Sequence, residues 1–585
     1  MRADPSPSAS PAAAPVEDHP APPQQQGYWC GRVVVGSFIL LTFGGVIAAL
    51  LIKESNYKIV AATGAGITAV AALGTGYRLY QNRQVVIRLP ASVQPLQNQP
   101  VVQPGPPSVA AIPTVNGPAR VNAEFEALVD RSRAFEEHVC AMPTRANKIE
   151  VIAANNLVLQ AEVVANARGT APIIHGDVLF LIREFLKIKR EHGEAPEKAL
   201  YAQMTLKQFL HRLLVKRPLA FLNPTDSSRL RDKNSRYEAR DFTKIGTANE
   251  TAPLVLADYL SYDEMAIAAL LGVAVPTHFI NNGNKSNCAV PDADHEASGV
   301  VVGLVGARYE QPGLMEHGQM LIPRVAHAEA AITEGQKQIR TLWARFYQQE
   351  GDRFPTTAEA ATAIQNRDPT IKTFHDDKFY FNATAYRLRM RRVWEPFIAD
   401  AHARAVAVGK QVYLQFTGLG LGVWSRTPNQ KSMMARIQLE VIAEILSHDV
   451  YPGISTINFS YFSETAPVIG CGGKKDGEKL GHITVRFVNR NPGEKLVGED
   501  AGKLLVVAYA WDGGSFPGNE YWLGMLTASM DPATICSTTL GQLQNPYING
   551  AVCGSNFRIY WRGQTHTVES FEPLMNPALK DGECT

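Results

Sequence analysis

The chain has 585 residues, 45% of them hydrophobic and 19% charged, with 57 Lys+Arg against 55 Asp+Glu. That balance excludes a wholly disordered chain, a coiled coil, a small disulfide-stapled scaffold and a strongly basic nucleic-acid binder. At about 150 residues per domain there is room for three or four domains, and the seven scattered cysteines, with no CxxC pair, read as reduced thiols.

Residues 1–28 are rich in Pro and Ala and read as a disordered tail. Two uncharged apolar runs follow, Val33 to Ile52 and Ile59 to Tyr77. Twenty helical residues span ~30 Å, one hydrocarbon core, so residues 29–80 are expected to form a transmembrane helical hairpin across the span 33–77. Its flanks carry Arg32, Arg78, Arg83 and Arg88, which places both termini on the cytosolic side of a membrane. Recurrent prolines make residues 81–119 a semi-rigid linker.

Residues 120–250 carry helical spacing, cleanest at Leu181, Ile182, Phe185 and Leu186 and at Leu206, Phe209, Leu210 and Leu213. They are expected to form a helical N-terminal subdomain. Residues 251–560 change style. Val300–Val305, Val412–Thr417, Ile454–Phe459, Ile483–Phe487 and Leu504–Ala510 read as strands, with helices between some of them. The pattern is α/β with some parallel pairing. Residues 561–585 are a C-terminal tail.

Three segments carry chemistry. TGLGLGVWSR (Thr417 to Arg426) lies between a strand and a helix, where Gly418, Gly420 and Gly422 let backbone amides approach an anion at a helix start. It matches neither the dinucleotide nor the P-loop spacing, and a tight structural turn is the plain alternative. WDGGSFPGNEYW (Trp511 to Trp522) follows a strand and offers Asp512, Ser515 and Asn519 beside four aromatics. INNGNKSN (Ile280 to Asn287) supplies Asn281, Asn282 and Asn284, whose amides suit ribose hydroxyls or a plain turn. Behind the next strand stand Glu310 and Glu316, acids suited to orienting water or protonating a leaving group. No HExxH, CxxC or GxSxG motif occurs, so no metal site, no cofactor and no serine nucleophile are expected.

Together INNGN, GLVGARYEQPGLMEHGQM, TGLGLGVWS and YAWDGGSFPGNEYW resemble the MavL-like, macro-domain-related effectors of Legionella-type intracellular bacteria. That resemblance covers about residues 120–560. It implies a core akin to poly(ADP-ribose) glycohydrolase: a macro-domain-like mixed sheet flanked by helices. It implies removal of ADP-ribose from a modified protein, ubiquitin included, and delivery into a host cell. Asn281, Asn282 and Asn284 then correspond to a loop that cradles the distal ribose, and Gly418, Gly420 and Gly422 to a diphosphate loop. The paired glutamates behind a GGG segment are absent here, and Glu316, then Glu310, stand nearest to them. Asp512 is a third candidate acid, with Ser515 and Asn519 as ligand contacts. The expected partner is ADP-ribose or an ADP-ribosylated protein, with no nucleic acid. Alternatives are a non-catalytic membrane-anchored ADP-ribose reader, a scaffold with a degenerate pocket, and an NAD-dependent transferase. The reading requires the asparagine cluster, the glycine turn and the Asp512 loop to meet at one edge of the sheet.

Overall fold

The computed structural model describes residues 118–575 apart from short breaks at 223–224, 233–235, 238, 326–331, 374–377, 423, 425–427, 449–450 and 555, and the backbone of three strands within 38–60. The chain divides into two units, 1–103 and 104–585.

In the first unit, β1 (Phe38–Phe43), β2 (Val46–Lys53) and β3 (Asn56–Val60) form an antiparallel three-stranded sheet. This corrects the transmembrane helical hairpin. The run from Val33 meets the length test for a membrane helix, but apolarity and length do not distinguish a helix from successive strands. Its Val, Ile, Phe and Thr favour strands. Phe43 and Val46 pair across β1 and β2. Among the described residues no helix is long and apolar enough to cross a membrane, which also removes the basis for placing the termini about a bilayer. The remainder of the second run, 61–77, the tail 1–28 and most of the linker lie outside the described residues.

The second unit is built on a ten-stranded mixed sheet. Its strands are β4 (Ala171–His175), β8 (Gly272–His278), β9 (Ser298–Leu304), β13 (Val412–Thr417), β14 (Ile454–Ser460), β15 (Lys479–Leu480), β16 (Ile483–Arg486), β17 (Leu504–Ala510), β18 (Arg558–Trp561) and β19 (Gln564–His566). Their spatial order is 15-16-14-13-17-9-8-4-18-19. Two three-stranded sheets complete it: β5 (Ala220–Leu222), β6 (Ser227–Arg229) and β7 (Arg236–Tyr237), and β10 (Leu321–Pro323), β11 (Ile371–Thr373) and β12 (Phe379–Asn382). The segment expected as helical therefore gives β4 to the main sheet, and the expected C-terminal tail gives β19 and two short helical turns, Val568–Phe571 and Glu572–Met575.

β16, β14, β13, β17 and β9 run parallel. Their near-continuous apolar sequences, such as LLVVAYA in β17, are those of strands covered on both faces. The helix Ala383–Val408 supplies part of that cover: Trp394 and Phe397 bring their rings within 5.2 and 5.4 Å of Phe416 on β13. Asn382 caps its start through the Ala385 amide, and Gly409, at φ 63°, ends it in the left-handed region.

Strand direction fixes what each edge of the sheet presents. The loops after β9, β13 and β17 all leave from the carboxyl edge, where α/β folds place ligands. β8 runs antiparallel to β9, with His278 opposite Ser298. The loop after β8 therefore leaves from the other edge, where β9 begins.

Candidate active site

At the carboxyl edge the loops after β9, β13 and β17 crowd together. A Cβ at Gly306 would lie 2.4 Å from the Gly420 nitrogen, so the first two loops touch backbone to backbone. Gly420 itself has φ 70°. The loop after β17 turns at Asp512, whose Oδ1 accepts the Gly514 amide at 3.0 Å. Ser515 closes the turn by donating its amide and hydroxyl to the Asp512 carbonyl at 3.1 and 3.2 Å. Asn519 pairs with the backbone of Phe221, accepting its N–H at 2.8 Å and donating to its carbonyl at 3.2 Å, and sets its Nδ2 3.5 Å from Asp512 Oδ2.

Three carboxylates of this segment feel one another. Burial pushes the Asp512 carboxyl up to about 6, against the pull of Arg308 and the Gly514 amide, and Asp226 and Glu520 add to the rise. Asp531 opens the helix Met530–Cys536 and accepts the Gly518 amide at 2.9 Å. Burial raises it well above the usual carboxylate range, with Glu520 and Asp512 raising it further. Glu520, like Asp512, is half-buried, whereas Asp531 is buried.

Arg308, after β9, is the cation of the group. Its Nη2 donates to Asp226 Oδ1, and its Nε and Nη2 lie 3.4 and 3.3 Å from Glu310. Burial opposes its charge, but Asp512, Asp226 and Glu310 hold it above the ordinary arginine value. Phe221 and Trp424 lie 5.4 and 5.8 Å from the guanidinium. A second guanidinium, Arg217, is buried against the Trp511 ring at 4.3 Å, and burial lowers it to about 9. Its Nε donates to the Leu213 carbonyl at 2.7 Å, while Nη1 and Nη2 have no hydrogen-bond partner among the described residues.

The structure thus brings Glu310, Gly418, Gly420, Gly422, Asp512, Ser515 and Asn519 to one edge, though Ser515 and Asn519 shape the loop from buried positions. It does not bring the three asparagines there, and it places Glu316 beneath Arg308 rather than in the open. Asn281, Asn282 and Asn284 follow β8 at the opposite edge, where they form turns. Glu316 lies behind the site at 2% exposure, where its Oε1 takes Arg389 Nε and Nη2 at 3.2 and 3.1 Å and its Oε2 takes the Arg308 amide at 3.2 Å. Cys471 is buried, and its thiol is raised to about 12, so it supplies no thiolate. Among the described residues no group of three or more His, Cys, Asp or Glu side chains is placed to hold a metal ion. An open groove lined by Met433, Arg436, Thr465 and Val468 contains none of the site carboxylates.

Sequence reasoning missed Asp226, Arg217 and Asp531 as members of this group. Asp226 follows Pro-Thr in the sequence and Asp531 lies at a helix start, neither with a pattern to single it out. Glu520 lay inside the aromatic segment, and its acidity beside Asp512 was the available signal.

The model of one family, ADP-ribosylhydrolase MavL-like, matches residues 127–571. The chain is 36% identical over 423 residues to ADP-ribosylarginine hydrolase CG2909 of Drosophila melanogaster, covering 68% of this chain and 80% of that one. It is 34% identical over 406 residues to ADP-ribosylarginine hydrolase CG3568 of the same fly, covering 65% and 75%. These findings do not bear out the macro domain that the resemblance implied, since the family and both relatives are named as hydrolases, and they do not confirm a secreted bacterial effector. The match runs through β4 to β19, the sheet and every loop of the site, and the chain belongs to the MavL-like ADP-ribosylhydrolases.

Proposed function

We propose that this hydrolase removes ADP-ribose from arginine side chains of modified proteins, at the carboxyl edge of its sheet. The observation that carries the reading is the coupled set Asp512, Glu520 and Asp531. Such a surplus of carboxylate suits a bound guanidinium and the cationic sugar that forms as the glycosidic bond breaks. The two relatives are named for ADP-ribosylarginine, which agrees. The Gly418–Gly422 loop and the start of the helix Pro428–His448 suit the diphosphate, because glycines let an anion approach the backbone and the helix dipole favours negative charge.

In this reading ionised Asp512 takes a proton from water as the water oxygen bonds to the anomeric carbon. The bond from that carbon to the arginine nitrogen breaks, and its electron pair stays on nitrogen. The proton passes to that nitrogen, so free ADP-ribose and a protonated arginine leave. Glu520, a partly exposed acid, holds the guanidinium, and Glu310 serves through Arg308.

The test incubates the full chain with arginine-linked, serine-linked and glutamate-linked ADP-ribosyl peptides and with arginine-modified ubiquitin, and measures released ADP-ribose. Release from both arginine-linked substrates, lost in Asp512→Asn, is expected. Faster release from serine or glutamate, or an intact arginine linkage, overturns the reading.

A further inference from the structure

Asp226 is an unusual investment for a short hairpin. It sits between β5 and β6 in the left-handed region, at φ 51°, and is fully buried. Burying a carboxylate is costly unless partners compensate its charge. Both of its oxygens turn away from the hairpin to find those partners. Oδ1 takes Arg308 Nη2, and Oδ2 takes the Tyr262 hydroxyl at 2.7 Å. Burial, then Asp226, raises the Tyr262 phenol, so it stays protonated and donates.

The contacts continue into a closed ring. The Tyr262 ring packs edge-on to Phe221 at 6.1 Å, and Phe221 also lies against Arg308. The Phe221 backbone holds Asn519, and Asn519 approaches Asp512. Asp226, Tyr262 and Phe221 come from segments that lie outside the carboxyl-edge loops, yet they fix the cation and the acid of those loops relative to each other.

We infer that Asp226 and Tyr262 are positioning residues: Asp226 occupies one edge of the Arg308 guanidinium that Asp512 also faces, and the Tyr262 hydroxyl holds Asp226 there, so Asp226 competes with Asp512 for that cation. This rests on the role given to Asp512 above. The charged and titratable groups around Asp512 are Arg308, Arg217, Asp226, Glu520, Asp531 and the Tyr262 phenol, with Glu310 reaching it through Arg308. Asp226 and Arg308 act on it in opposite directions, so their removal has opposite signs. A merely structural pair would lower stability and turnover without that contrast.

The experiment measures kcat/KM against pH for the full chain and for Asp226→Asn, Arg308→Met and Tyr262→Phe. It also follows the aspartate carboxyl resonances of the 13C-labelled chain, with Asp512 assigned by its loss in Asp512→Asn. Asp226→Asn is expected to move the acid limb and the Asp512 titration down by about 0.5–1 pH unit, and Arg308→Met to move both up by a similar amount. Tyr262→Phe keeps the charge and is expected to lower kcat about 2- to 10-fold, the worth of one hydrogen bond, with the limb in place. Shifts of the same sign in Asp226→Asn and Arg308→Met, or no shift in the Asp226→Asn titration, overturn the inference. If the wild-type chain releases no ADP-ribose but the resonance shows the opposite shifts, the positioning role stands and the hydrolytic reading of Asp512 falls.

Discussion

The two edges of the main sheet carry similar polar side chains and treat them differently. At the edge where β9 begins, the asparagines serve their own loop. Asn281 Oδ1 accepts the Gly283 amide at 2.9 Å, Asn282 Oδ1 accepts the Asn284 amide at 3.0 Å, and Asn284 Oδ1 accepts Ser286 through amide and hydroxyl at 3.0 and 2.7 Å. At the carboxyl edge, half-buried Asp512 and buried Asp531 lie near other acids, and each accepts one backbone amide. Saturated polar groups build turns, whereas groups held away from their ordinary protonation mark chemistry.

The sharpest way to break that contrast is Asp512→Asn. It is expected to cut kcat/KM by about 10²–10⁴-fold, the usual worth of a general base, with the melting temperature held or raised. Retained turnover in the ADP-ribosyl-arginine assay would remove the carboxyl edge from catalysis.

Glu316→Gln should separate stability from chemistry. It leaves Arg389 buried beside a neutral partner, and breaking a buried pair in this way costs about 3–5 kcal/mol. Urea unfolding is expected to show that loss, with a smaller change in kcat/KM for the folded fraction. Equal unfolding midpoints would show that the ion pair does not carry this corner of the fold.

A pH titration sharpens the comparison further. Asp512 acts as a carboxylate, so kcat/KM is expected to rise about tenfold per pH unit up to about 6 and then level. Its folded value is raised above the ordinary 3.8, so the stability it contributes is present below 3.8 and is lost as pH climbs from there through about 6. Turnover that falls across the same range would make Asp512 a proton donor instead.

The smallest effect is expected at the opposite edge. Asn282→Ala and Asn284→Ala each remove turn hydrogen bonds worth about 1 kcal/mol and should leave KM and kcat unchanged. A raised KM for either variant would return the asparagine loop to the ligand.

Much of the sheet and part of the candidate site are legible in the sequence. β13, β14, β16 and β17 declared themselves as apolar runs, and the glycine turn and the Asp512 segment were recognisable as loops at strand ends. Strand direction was not legible. Nothing local to VAVPTH states that β8 runs against β9, and that one reversal sends Asn281, Asn282 and Asn284 away from Asp512. β4 was hidden because APIIH is short and joins directly to a helix at Gly176. Asp226 and Arg217 were hidden because their partners are remote in sequence, 82 residues away in the case of Asp226 and Arg308. The N-terminal strands show the converse error, where apolar content was informative and the choice between helix and strand was not.

The contact between Gly306 and Gly420 has a practical consequence for engineering. Because two bare backbones define that spacing, a single methyl group at position 306 is a wedge. Gly306→Ala would pry the neighbouring loops apart without touching an acid, offering a mechanical dial for substrate bulk that is separate from the electrostatics.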